Sequence, residues 1–250
     1  MNFDLETFSL VQMLQCGRGL RQAAAAATSI EDAAKAIVGY LYGSCRFQAT
    51  GAESCALVRF YMTRPYSSLA PDLKAFADRQ MNGVAAKPAM KCLTLMATVG
   101  QRPEWCDRRQ SIGHRAIPLP SASIVEQAPM IAQLIKQMGL DISVIVEPSP
   151  DVVAELAGKS YNVFHVPEAK GSPHIPAQAD FVARYDIRSV VGFGGVVHTG
   201  DLFAVIMFSR AQIPPEAAAR FKNIALDVKS VIFPLHNLSA FEPERSFRTR

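Results

Sequence analysis

The stretch that decides the fold is Ile187-Arg188-Ser189-Val190-Val191-Gly192-Phe193-Gly194-Gly195, then His198-Thr199-Gly200-Asp201, then Leu202-Phe203-Ala204-Val205-Ile206-Met207-Phe208. Two apolar, β-branched runs flank a short polar turn carrying Gly200-Asp201, which reads as an antiparallel hairpin. Downstream, Phe221, Ile224, Ala225, Val228, Val231, Ile232 and Leu235 recur at helical spacing and lay one apolar stripe along a helix. A hairpin followed by a stripe-faced helix is a way to close the core of a sheet.

Working outward, residues 4–27 read as helical, with Asp4 as cap and Leu5, Phe8 and Val11 near one face. Ser29-Ile30-Glu31-Asp32 offers a second capping signal, and Ile30, Ala34, Ile37 and Leu41 form a stripe that ends at Gly43. Cys55-Ala56-Leu57-Val58-Arg59-Phe60-Tyr61-Met62 reads as a strand stopping at Arg64-Pro65, and Lys91–Thr98 as another ending at Gly100. Between them, Pro71 opens a short helix. Residues 100–120 read as a polar, arginine-rich loop holding Trp105. Ile124, Ala128, Ile131, Ile135 and Met138 mark a helix disturbed at Pro129 and ended by Gly139. Ile142–Val146 and Tyr161–Val166 are short strand candidates, and Pro167, Gly171, Pro173 and Pro176 make 167–178 a long irregular loop.

At 250 residues, with 49% hydrophobic and 19% charged content, the chain suits one large globular domain. The net charge of +4 is too mild to argue for nucleic acid. No apolar run reaches membrane-span length, and Met1-Asn2-Phe3-Asp4 does not open a signal peptide, so the expected location is the cytoplasm. Cys16, Cys45, Cys55, Cys92 and Cys106 are odd in number and hold no CxxC pair, which fits reduced thiols.

In this order of elements the chain from about Ser29 to Leu235 resembles the GAF family. Ser29–Ile37 looks like its opening helix, and Ser189–Phe193 with Leu202–Ile206 like its closing hairpin. Pro103-Glu104-Trp105, Arg108, Ser111, Gly113-His114, Ile117-Pro118-Leu119, Pro129-Met130-Ile131 and the run Phe164–Pro173 are similar to a GAF-like input module of bacterial signalling proteins. The resemblance implies an α+β fold: an antiparallel sheet of about five or six strands flanked by helices. Residues 1–28 would be an N-terminal helical extension, 29–236 the sensory domain and 237–250 a polar C-terminal tail. It implies a non-enzymatic input module that binds a small ligand or cofactor and relays occupancy through its terminal helices. A histidine kinase or other signalling output module would be the partner, as in a two-component system, and that output lies outside these residues. The bilin branch uses a Cys-His dipeptide and the cyclic-nucleotide branch Asn-Lys and Asp-Glu pairs; all are absent here. The cofactor stays unknown.

Four constellations could carry chemistry. Gly192-Phe193-Gly194-Gly195 lacks the third spaced glycine, the following helix and the lysine of a phosphate loop; close backbone approach explains it better. Asp107, Ser111 and His114 have the residue types of a hydrolase triad but crowd onto one loop without a strained elbow. Cys92, Cys106, His114, His165, His174 and His198 show no zinc-like spacing, so no metal is assigned. Arg102, Arg108, Arg109 and Arg115, with Trp105 and His114, could clamp an anion or a planar ligand through forks and stacking; the plain alternative is a solvated loop whose arginines pair with Glu104 and Asp107.

The expected ligand-binding set is Trp105, Arg108, Arg109, Ser111, His114, His165 and His174, with the 100–118 and 164–178 loops lining one pocket and no catalytic residue. The alternatives are a small hydrolase or redox enzyme using Cys106 or His114, and a dimerisation or scaffold module without ligand. Because a chain of this size has core enough without residues 4–16, the Leu5, Phe8 and Val11 stripe is expected to bury itself in a homodimer.

Overall fold

The computed structural model describes residues 2–81, 83, 85–235 and 241. Helix α1 spans Leu10–Ala23 and α2 Ile30–Ser44, followed by β1 (Cys55–Pro65), α3 (Pro71–Gln80) and β2 (Lys91–Gly100). Next come β3 (Ala116–Leu119), α4 (Ala122–Glu126), α5 (Pro129–Gln137), α6 (Ile142–Val146), α7 (Pro150–Gly158) and β4 (Phe164–Val166). The chain then runs through β5 (Ser189–Val196), β6 (Leu202–Ser209) and α8 (Pro215–Ile232). The strands form one antiparallel sheet in the order β3-β2-β1-β6-β5-β4. The expected α+β architecture, a sheet of about six strands with flanking helices, is the one observed.

The deciding hairpin pairs Ser189 with Ser209 through to Val196 with Leu202, and Gly200 takes a positive φ of 77° in its turn. Gly194 has the role its surroundings predicted. A Cβ there would fall inside the van der Waals shell of the Phe203 carbonyl oxygen on the neighbouring strand. At the hairpin tip, buried Asp201 accepts from Lys91, from Thr199 Oγ1 (3.0 Å) and from Thr63 Oγ1 (3.4 Å), with Arg64 at 3.7 Å. Thr63 Oγ1 in turn accepts from the Leu202 amide at 2.9 Å.

One face of the sheet carries α1, α2 and α8. Val58, Phe60, Val191, Phe193, Phe203 and Val205 meet Ile37, Leu41, Phe221, Ile224 and Val228 in one buried cluster. The Phe221 ring lies 5.0 Å from that of Phe8 and 5.2 Å from that of Phe193. The other face carries α4 to α7 and the long loops, over Leu57, Tyr61, Leu95, Val190, Ile206 and Phe208.

Several sequence expectations are corrected. The first helix begins at Leu10, not Asp4, because Ser9 and Gln12 form a reciprocal capping box. Phe3 instead bridges to Cys45 beside α2, and Leu5 and Phe8 are buried in their own core. They are unavailable to a second copy, whereas Leu10, Val11 and Leu14 stay 58–63% exposed. Ile142–Val146 is helical rather than extended, since Asp141 caps it through the Ser143 amide and Ile142, Ile145 and Val146 fall on one buried face. A continuous short apolar run does not distinguish the two states by periodicity. The strand expected from Tyr161 begins only at Phe164. Pro129 separates two helices, α4 and α5, and Gly139 ends the second with a φ of 80°. Helix α7, strand β3 and a wide turn at Gln178–Ala183 went unread. The tail expected at 237–250 lies outside the described residues except for Phe241.

Candidate functional site

Loop 101–115 leaves the end of β2 and folds back over the face of the sheet opposite the three long helices. It starts at Gly100, where a Cβ would meet the Ala56 carbonyl oxygen at 2.8 Å and the Trp105 ring at 2.9 Å, so this close turn needs glycine. A 3-10 turn at Pro103–Trp105 then lays the indole against Tyr185 (ring centroids 4.6 Å) and Phe181 (5.8 Å). The loop closes at His114, which sits in the left-handed region with a φ of 60°.

Beneath it lies a cavity of about 290 Å³ lined by Arg102, Glu104, Trp105, Ser111, Ile112, Gly113 and His114 from the loop, with Arg59, Arg184 and Tyr185 around them. Of the expected ligand residues, Trp105, Ser111 and His114 therefore share one cavity. Arg108 does not line it. Its guanidinium turns to the helical layer and forms a buried pair with Glu31 of α2, Nε to Oε1 at 2.9 Å and Nη2 to Oε2 at 3.3 Å. The Phe241 ring packs over the same guanidinium at 4.9 Å. Arg109 is exposed outside the cavity, Arg115 pairs with Asp72, and Arg102 pairs with Glu104 at 2.6 Å.

His165 and His174 lie elsewhere, on a more open depression of about 450 Å³ with Gln137, Glu168 and Lys170. The single pocket expected between the 100–118 and 164–178 loops is therefore two. The wide turn after Ala177 brings Phe181, Arg184 and Tyr185, rather than residues 165–174, against Trp105. Gln178 holds the 167–178 loop in its own fold, its Nε2 donating to the carbonyls of Ala169 (3.1 Å), Ser172 (3.3 Å) and Ile175 (2.7 Å). His165 donates from Nε2 to the Ile213 carbonyl at 2.9 Å.

The residue the sequence reading passed over is Arg59. It stands on the central strand β1, opposite Thr98 of β2 and Ile206 of β6, between Leu57 and Tyr61 on the loop-covered face. A charge inside an otherwise apolar strand was the available signal. Its Nη1 donates to Tyr61 Oη (3.1 Å) and its Nη2 to Ser111 Oγ (3.3 Å), while Nε is buried with no acceptor. Desolvation, and then the Arg59 charge, hold His114 below the usual histidine range, although the residue keeps solvent contact at the cavity mouth. Desolvation also lowers His165, partly offset by its bond to the Ile213 carbonyl. Ser111 Oγ donates to the Gly113 carbonyl at 2.9 Å, and Asp107 accepts from the Arg109 amide at 2.8 Å. Among the described residues these three form no Asp-His-Ser relay, and no group of three His, Cys, Asp or Glu side chains could hold a metal. Nor is any helix among them long and apolar enough to cross a membrane.

No protein-family model and no curated protein matches the chain. Solved structures with a similar layout include the free methionine-R-sulfoxide reductase of Neisseria meningitidis in complex with its substrate, at TM-score 0.49 and 11% identity, covering 90% of this chain and 91% of that one. The GAF domain of a phosphoenolpyruvate-protein phosphotransferase from Coxiella burnetii aligns at TM-score 0.46 and 12% identity, covering 92% and 98%. Its Acinetobacter counterpart aligns at TM-score 0.43 and 13% identity, covering 94% and 99%.

Proposed function

We propose that this protein is a cytoplasmic, non-enzymatic sensory module that binds a small molecule in the cavity under loop 101–115 and passes its occupancy to a signalling output domain or partner. The observation that carries the reading is the cavity itself: a recess on the sheet, lined by Trp105 and Tyr185 together with charged and polar side chains. Catalysis is disfavoured because the Ser111 hydroxyl proton is directed at a carbonyl oxygen and no base is aligned to take it. Relay through the helices is supported by the buried Arg108–Glu31 pair, which ties the cavity loop to α2. The five free thiols suit the reducing compartment proposed here.

Native mass spectrometry of freshly purified protein tests this reading. The expected result is a small molecule retained by the wild type and lost from a folded Trp105→Ala variant. Equal retention by that variant would move the site elsewhere, and turnover of the retained molecule would make the protein an enzyme.

Assembly as a homodimer belongs to the same reading, now through Leu10, Val11 and Leu14 of α1 rather than the buried Leu5 and Phe8. Glutamine at Val11 and Leu14 should turn a dimer into a folded monomer in light scattering. A wild type that is monomeric at high concentration excludes the dimer.

A further inference from the structure

We propose that the cavity takes a small organic anion, a carboxylate or phosphate ester on a planar or apolar body, with Arg59 as its anchor. The inference rests on the cavity being a ligand site and adds the chemistry of what it holds. Three arginines, Arg59, Arg102 and Arg184, line the cavity against a single acidic residue, Glu104. Glu104 is already committed to Arg102, through both Nε (2.8 Å) and Nη2 (2.6 Å). Arg59 has no carboxylate partner among the described residues. Its two observed acceptors are neutral hydroxyls, and its Nε is a buried donor with nothing to donate to.

A half-buried guanidinium whose buried Nε lacks an acceptor costs free energy that an anionic acceptor would recover, most fully through a bidentate carboxylate or phosphate. The arginine is also displayed from the middle of the sheet, where rotamer and backbone are least free, so the donor is pre-organised. Trp105 and Tyr185 form an apolar wall for the rest of the molecule. The volume, about 290 Å³, lies at the small end for ligand pockets and favours a ligand with few heavy atoms. The anion clamp expected of Arg102, Arg108, Arg109 and Arg115 thus moves to a different residue, because three of those four already have carboxylate partners and Arg109 lies outside.

The chain has one tryptophan, and it lines the cavity, so emission excited selectively from tryptophan over the six tyrosines reports on this site. Benzoate and phenyl phosphate would be titrated against the neutral probes benzamide and benzyl alcohol, each to about 10 mM. The expected result is a saturable, salt-sensitive change with an anion and a far weaker one with the neutral pair. The tighter anion identifies carboxylate or phosphate as the preferred group. Arg59→Gln should weaken the anion about 10- to 100-fold, Arg59→Lys less, and Arg109→Gln not at all. If Arg59→Gln fails to fold, the exposed rim variant Arg184→Gln carries the test, with a several-fold loss expected.

Neutral probes binding as tightly as benzoate, or a folded Arg59→Gln or Arg184→Gln variant that binds like wild type, overturns the anion assignment and leaves the cavity reading standing. Silence from all four probes overturns both.

Discussion

The two faces of the sheet are made from alternate residues of the same strands, yet they differ in kind. Toward α1, α2 and α8 the strands present Val58, Phe60, Val191, Phe193, Phe203 and Val205, and the long helices cover them with matching stripes. Toward the other side the covering consists of short helices and loops. There the row Leu57, Arg59, Tyr61 admits a charge, and the loop 101–115 leaves a cavity over it. Long helices seal a surface because one regular stripe meets another. Short, irregular elements cannot, and the gaps they leave are where polar groups converge. One face is packed stripe against stripe, and the other, apolar core and all, keeps a recess over Arg59.

The largest expected effect breaks the sealed face. Phe221→Ala removes a fully buried ring packed between Phe8 and Phe193 and should cost about 4 kcal/mol in urea unfolding. A loss near 1 kcal/mol would mean that the helical layer is not what holds the domain together.

Next is the buried ion pair between the two faces. Glu31→Gln strands the Arg108 guanidinium, 6% exposed with Nη1 already unsatisfied, and should cost about 3 kcal/mol. Glu31→Leu with Arg108→Met should recover most of it while still shifting Trp105 emission, because the loop loses its tether. Unchanged emission in the double variant would sever the faces as a coupled system.

The smallest effect is on acid stability. His114 and His165 both titrate below the ordinary value of 6.5 when folded, so the unfolded chain binds more protons between the lowered values and 6.5. Their contribution is complete above 6.5 and is lost as the pH falls through that window. Melting temperature should fall below about pH 6.5, and less steeply in His165→Gln. Equal slopes in wild type and variant would remove His165 from the account.

The same contrast explains what the sequence revealed. Strands β1, β2, β5 and β6 and helices α2 and α8 were legible because each follows one periodicity against a continuous partner layer. The loop face was not: α6 is a β-branched run made helical by Asp141 and by where its partners lie, and β3 is four residues recruited by the edge of β2. That Trp105, Ser111 and His114 share one cavity was legible because aromatic and polar residues cluster in one loop. Arg59 was missed because a strand was read for its apolar residues alone, although a guanidinium at its centre breaks the pattern. Where Arg108 would turn depends on Glu31, 77 residues away in the chain, and no local rule reaches that far.

The cluster around Asp201 has a consequence in time. Its partners Thr63 and Lys91 lie 138 and 110 residues from it in the chain, so the cluster assembles only after the β5–β6 hairpin has docked beside β1. Interactions that form late are largely absent from the folding transition state and act on the return journey. Asp201→Asn should therefore raise the unfolding rate while leaving the refolding rate nearly unchanged in a stopped-flow chevron; an equal slowing of refolding would place the cluster in the nucleus. By this account the hairpin tip acts as a clasp, setting how long the domain persists once folded more than how readily it folds.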